Sequence, residues 1–265
     1  MIFHSSFEYS YLCLPLVGFI IGLLASMIGG GGGFFFPPIL ILLFGIDAQV
    51  AVATSLAATL PICLVGSVGH YRKGNMDIRT GIIFGVAGIV GALTGAGITG
   101  LLTPGQLKVT FGAYSILLAL HMFINNVRDQ RKIKRDEVIP ESSSAKKNLL
   151  GSVYGFLAGI VTGTFGTSGT APVLAGLFAL RLPIKMVVGT SLLVIFVNTV
   201  SALGAHFLVG QIDLTLVYFL SFGAAIGAFS GPRLLAGISL GTAEGRIKSW
   251  YALAMAFIGI VMIVG

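Results

Sequence analysis

The sequence predicts an all-α polytopic membrane protein made of two inverted-topology repeats, each a broken-helix hairpin followed by three transmembrane helices. Three observations predict it: long uncharged runs, an internal repeat, and the placement of the basic residues. Of 265 residues, 55% are hydrophobic and 9% charged, with a mean hydropathy of +0.99. Such a composition cannot cover a soluble globule with polar surface. Uncharged runs occupy 9–46, 48–71, 80–107, 109–127, 148–180, 186–212, 214–232 and 249–265, and one transmembrane helix needs roughly 20 apolar residues. The runs are continuous and rich in Ala, Leu, Gly and Ile, whereas a transmembrane barrel would show short alternating segments. The net charge of +7 has an ordinary cause in membrane orientation and does not point to nucleic acid. Cys13 and Cys63 lie in apolar runs and read as small buried hydrophobes, not as a disulfide or metal pair. The opening MIFHSSFEYS lacks a basic n-region, so the first apolar run is expected to stay in the mature chain.

The repeat appears at a shift of 136, which places Thr54-Ser55 on Thr190-Ser191, His70 on His206, Gly74 on Gly210, Asp77 on Asp213, Gly91 on Gly227 and Gly95 on Gly231. Both halves carry H-x3-G-x2-D. The halves are 1–125 and 148–265, and 126–147 joins them as a polar linker with seven Lys or Arg and four Asp or Glu. A basic segment of this kind reads as a solvated cytoplasmic loop.

The runs 9–46 and 148–180 are too long for one simple span, and each is interrupted, at Gly29–Gly33 and at Gly166–Gly169. Each reads as a hairpin that returns the chain to its starting side. Three single spans then follow, an odd number, so the halves are inverted. With the linker cytoplasmic, Arg72, Lys73, Arg79, Arg181, Lys185, Arg246 and Lys248 also fall inside, and of the 16 basic residues only Lys108 falls clearly outside. Arg233 lies near the inner end of a span. The N-terminus, the first hairpin's mouth and the His206–Asp213 loop are then external, and the localisation expected is a bacterial plasma membrane.

The hairpin tips carry the chemistry. Gly30, Gly31, Gly32 and Gly33 precede a short apolar segment opened by Pro37 and Pro38. Thr167, Ser168, Gly169 and Thr170 precede another with Pro172 near its start. Each is a helix start at membrane depth, where orphan N–H groups must face protein, water or a ligand. Each helix start carries roughly half a positive charge, so two offer about +1 and suit a monoanion. Thr54, Ser55, Thr190 and Ser191 either line the same cavity or bond carbonyls of their own helices. Asn198, two turns beyond Ser191, is a further candidate on that face. Phe34, Phe35 and Phe36 either stack on an aromatic ligand or pack in the core.

Gly223, Gly227 and Gly231, with Ala87, Gly91 and Gly95 in the other half, read as close helix packing. His70 and His206 read as loop caps or proton relays, and Asp77 and Asp213 as helix N-caps. No Asp or Glu lies deep in any run, which argues against carboxylate-based cation exchange. HExxH, Walker and dinucleotide motifs are absent from the sequence, so no cofactor and no enzyme activity are expected. The expected partners are a small anionic substrate and lipid, with H⁺ or Na⁺ as possible coupling ions and a monomer or homodimer left open. An anion channel, and a carrier of other small anions such as carboxylates, remain alternatives.

At these residues the chain resembles the sulfite exporter TauE/SafE family, also called the 4-toluene sulfonate uptake permease family, over nearly its whole length. The resemblance rests on the five glycines with P-x-L following, on Ala53-Thr54-Ser55, on the G-H-Y-R-K-G-N-M-D block at Gly69 to Asp77, and on V-G-T-S at Val188 to Ser191. It implies a transporter of sulfur-containing anions such as sulfite, sulfoacetate or arylsulfonates, moving in either direction. The second hairpin has G-T-S-G where many relatives are more glycine-rich, which bears on substrate choice.

Overall fold

A computed structural model describes residues 2–28, 30–132, 144–209, 211–235 and 243–264. Gly29, Gly210 and the middle of the linker lie outside the described residues, as do the side chains of Arg233, Arg246 and Lys248. The first half folds as α1 (Leu14–Ile28), α2 (Phe36–Phe44), α3 (Ala48–Arg72), α4 (Ile78–Leu101) and α5 (Pro104–Lys132). The second folds as α6 (Ser144–Phe165), α7 (Thr170–Ala179), α8 (Ile184–Val209), α9 (Leu214–Leu235) and α10 (Ala243–Val264). Seven described segments are long and apolar enough to cross a membrane, so the chain is an all-α polytopic membrane protein. The helices α2 and α7, of 9 and 10 residues, are about half a bilayer long at ~1.5 Å per residue. Each hairpin thus pairs one long arm with one short one. The ends of the linker are helical, because α5 continues its turns to Lys132 and α6 begins at Ser144.

Sequence-level caps set the boundaries. Asp47 accepts from the Gln49 N–H at 2.9 Å, and Gly45, at φ 63°, ends α2 in the left-handed conformation open to glycine. Asp77 accepts from the Thr80 N–H at 3.1 Å and Asp213 from the Thr215 N–H at 3.0 Å, so both aspartates cap the next helix as expected. A two-stranded parallel pairing, β1 (Ile2–Phe3) with β2 (Ile212–Asp213), ties the N-terminal segment to the turn before α9.

The halves exchange their first helices. α1 lies parallel to α9 and α6 parallel to α4, each pair meeting at glycines where a Cβ would strike backbone. Added at Gly227 it would stand 2.1 Å from Phe19 O, and at Gly91 2.1 Å from Phe156 O. The packing role expected for these glycines holds. The equivalence of Phe19 with Phe156 aligns α1 on α6 at a shift of 137, one residue more than the 136 of the later helices. α3 and α8 cross antiparallel, because the start of each lies against the turn that follows the other. Thr54 Oγ1 accepts from the Asp213 N–H at 3.1 Å, and Thr190 Oγ1 accepts from the Asp77 N–H at 2.9 Å.

Candidate functional site

The hairpin tips meet near the middle of α3 and α8. A Cβ on Gly31 would touch Ile195, Ser168 and Cys63, and one on Gly33 would touch the Ser168 nitrogen and Thr59. Gly31 and Gly32 (φ 62° and 75°) and Gly166 and Gly169 (φ 66° and 54°) occupy the left-handed region, which lets the chain reverse inside the packed core. Two hydroxyls join the tips. Ser168 Oγ donates to the Gly30 carbonyl at 2.5 Å and Thr170 Oγ1 to the same oxygen at 2.6 Å, with the hydroxyls 2.9 Å apart.

The ends of the broken long arms leave carbonyls without intrahelical partners, and side chains from neighbouring helices take them. His206 Nε2 donates to Gly163 O at 2.7 Å, and the Thr99 hydroxyl donates to Thr164 O at 2.8 Å. In the other half His70 Nε2 faces Ser26 O at 3.4 Å. The two histidines therefore anchor the broken arms and not the loops that follow them, a relation invisible until α1 and α6 are placed.

Beside the joined tips is a cavity of about 380 Å³, within the size range of small-molecule sites. Its polar edge is Gly30, Gly32, Thr167, Ser168, Gly169 and Thr170, and its apolar walls come from α1 (Ile21, Leu24, Ala25), α5 (Tyr114, Leu118, Met122), α7 and α10 (Ala254, Met255), with Phe34 and Phe35. Thr170 and Ala171 open α7 there, and their N–H groups have no carbonyl within the helix to bond. Thr167 Oγ1, in a side chain 2% exposed, has no hydrogen-bond partner.

Six of the expected site residues line this cavity, namely Gly30, Gly32, Thr167, Ser168, Gly169 and Thr170. The others do not. Gly31 and Gly33 turn into the contact with α3 and α8. Thr54 and Thr190 are spent on the backbone N–H groups of Asp213 and Asp77, and Ser191 bonds Val188 O within its own helix at 2.8 Å. Ser55 is buried away from the cavity without a partner, and Asn198, fully buried against Gly88 of α4, has neither amide atom paired. The expectation of two equal helix starts is also corrected. Phe36, Pro37 and Pro38 are buried, and the prolines remove two N–H donors from the first turn of α2. The N-cap of α2, Phe35, reaches the cavity edge, but its proline-opened first turn offers few N–H donors there, so the α7 start, with the Thr170 and Ala171 N–H groups, is the stronger anion-facing end. Phe34 and Phe35 line the cavity while Phe36 packs in the core beside Leu40. Cys63 is buried as expected but Cys13 is exposed. The walls from α5 and α10 escaped sequence reasoning, since Tyr114, Leu118 and Met255 sit in ordinary apolar runs that carry no motif.

A short helix that starts at a cavity within a bundle of membrane-length helices gives a polytopic membrane protein with an internal site, and the proteins similar to it are membrane transporters. The chain belongs to the family described as sulfite exporter TauE/SafE, whose model matches residues 14–262. It is 30% identical over 227 residues to the probable membrane transporter protein YdhB of Bacillus subtilis, covering 82% of this chain and 87% of that one. It is 28% identical over 240 residues to YunE, another probable membrane transporter protein of the same organism, covering 83% and 88%. A probable membrane transporter protein of Methanocaldococcus jannaschii is 30% identical over 212 residues, covering 77% and 75%. No solved structure matches significantly.

Proposed function

We propose that this protein is a secondary transporter of sulfur-containing oxyanions, sulfonates and sulfite, working by alternating access in a bacterial plasma membrane. In this reading its repeats are inverted, and the linker and the second hairpin's mouth are cytoplasmic. The observation that carries the reading is the buried, unpartnered hydroxyl of Thr167, a residue of the cavity lining beside the start of α7. A buried polar group without a partner costs about 1–3 kcal/mol. A sulfonate oxygen would accept from it, and from the Thr170 and Ala171 N–H groups, while the helix dipole offsets part of the charge. Ser168 and Thr170 add two hydroxyls when the Gly30 carbonyl releases them. With one strong anion-facing helix start and no charged side chain in the lining, a monoanion suits the site better than a dianion. Walls such as Ile21, Leu118 and Met255 favour an anion with a carbon body. An inside-negative potential opposes entry of a monoanion by about 2.3 kcal/mol per 100 mV, so uptake would be coupled to H⁺ or Na⁺ and export would not need coupling.

The test is a thermal-shift screen of the purified protein with sulfite, thiosulfate, sulfoacetate, isethionate and toluenesulfonate. Stabilisation by at least one, lost in Thr167→Val, is expected. A flat response to every oxyanion would overturn the reading, and saturable counterflow in proteoliposomes would separate a carrier from an anion channel.

A further inference from the structure

The cavity has a counterpart in the other half. α7 contributes Ala171 and Leu174 to the cavity, and α2 contributes Pro37 and Ile41 to a residual void of about 10 Å³. α5 and α10 run antiparallel past both spaces, with Leu118 and Met255 in the cavity and Leu107 and Met262 in the void. The cavity therefore belongs to the linker end of α5 and the void to its Pro104 end. The start of α3 is at that same Pro104 end, where Gln49 Nε2 donates to Leu102 O at 2.9 Å. Four aromatic rings divide the two spaces. Phe34 and Tyr114 face the cavity, Phe111 and Phe165 face the void, and the ring centroids lie 5.6 Å (Phe34 to Phe111), 5.7 Å (Phe111 to Phe165) and 5.3 Å (Tyr114 to Phe165) apart.

We propose that these four rings are the gate of the transport path, closed here towards the Pro104 face while the site communicates with the linker face. This rests on the transport reading above but not on the identity of the anion. The rings are attached to the parts that would bind. Phe165 ends α6 and adjoins Gly166 and the Thr167–Thr170 segment, Phe34 belongs to the first tip, and Phe111 and Tyr114 stand on α5. The tips are held together by the Ser168 and Thr170 hydroxyls on the Gly30 carbonyl. An anion that takes those hydroxyls loosens the tie between the tips, and tips that part carry Phe34 and Phe165 away from the α5 rings. Binding and opening are in this way joined through one small set of hydrogen bonds.

The experiment needs no substrate, so its failure is distinct from failure of the oxyanion reading. In a Cys13→Ser, Cys63→Ala background, Leu118→Cys places a reporter thiol in the cavity. A membrane-impermeant methanethiosulfonate is applied to sealed vesicles of either orientation, with the linker face identified by proteolysis of the linker. The thiol is expected to react faster from the linker face. Phe111→Ala with Phe165→Leu should raise the rate from the opposite face about tenfold, the population change expected from losing one or two ring contacts, and leave the linker-face rate unchanged. Phe123→Ala, which removes a ring 58% exposed on the outer surface of α5, should change neither. Equal reaction from both faces in the parent, or an unchanged opposite-face rate in ring variants that unfold at the parent's temperature, would overturn the gate. If the double variant does not fold, Phe165→Leu alone is read by the same criteria.

Discussion

Replacing Thr167 by valine separates a hydroxyl kept for a ligand from one kept for the fold. Thr167 Oγ1 is buried and without a partner, so valine, similar in shape, removes a penalty of about 1–3 kcal/mol and breaks no bond. The ligand-free protein should become equally or more stable, while affinity for a bound sulfonate falls about tenfold, the equivalent of ~1.4 kcal/mol. Ser168→Ala should behave in the opposite sense without ligand. It deletes the bond to the Gly30 carbonyl, a loss of about 0.5–1.5 kcal/mol, at the low end because Thr170 still donates to that oxygen. The assay is thermal unfolding in detergent without and with toluenesulfonate, alongside calorimetric titration. If Thr167→Val destabilised the ligand-free protein as much as Ser168→Ala, the hydroxyl would have a structural partner and the argument for a waiting donor would be refuted.

Gly91→Ala would press a methyl to 2.1 Å from Phe156 O, so a loss of about 1–3 kcal/mol or more is expected in thermal unfolding. Gly97→Ala, in the same helix with nothing within 4 Å, should stabilise by about 0.4–1 kcal/mol in the same assay. His206→Phe should cost about 0.5–1.5 kcal/mol by removing the shorter of two bonds to Gly163 O, the Thr99 hydroxyl keeping the other at 3.1 Å, and His70→Phe less, because its contact is 3.4 Å against 2.7 Å; chemical denaturation midpoints would rank them, and equal midpoints would contradict the anchoring role. A maleimide should label exposed Cys13 and spare buried Cys63 until the protein is unfolded, as read by mass spectrometry.

Much of this architecture is legible in the residues. Length and charge are local properties, so the helix-length runs, the breaks near Gly30 and Gly166 and the aspartate caps could be read directly. The repeat at 136 carried further, since His70 with His206, and Thr54 with Thr190, do play matched parts. Which parts they play was not legible, because each role is decided by a partner on another element. Thr54 bonds a turn 159 residues away, and no property of Thr-Ser in a helix distinguishes that from lining a cavity. The tips differed for a local reason. The first tip has three extra residues between its last left-handed glycine and its helix, so α2 starts at Phe36 against Thr170 for α7, a shift of 134 in place of the 137 that relates Gly32 to Gly169 and α1 to α6. That offset and the paired prolines bury Phe36, Pro37 and Pro38 and remove N–H donors from the first turn of α2, so the two starts are not equivalent at the cavity.

The exchanged first helices bear on how such a molecule can move. With α1 seated on α9 and α6 on α4 through glycines that leave no room for a methyl, the two repeats are threaded into one frame, and a swing of repeat against repeat would tear both seams at once. α5 and α10 are clasped chiefly to each other, at Gly112 and Gly259, and meet the frame mainly through Phe111, Tyr114 and the methionines of α10. The arm best placed to rock across that frame is thus a chimera, one helix from each repeat. The unit that recurs at a shift of 136 in the sequence and the pair of helices most loosely joined to the frame are then different pieces of the same chain.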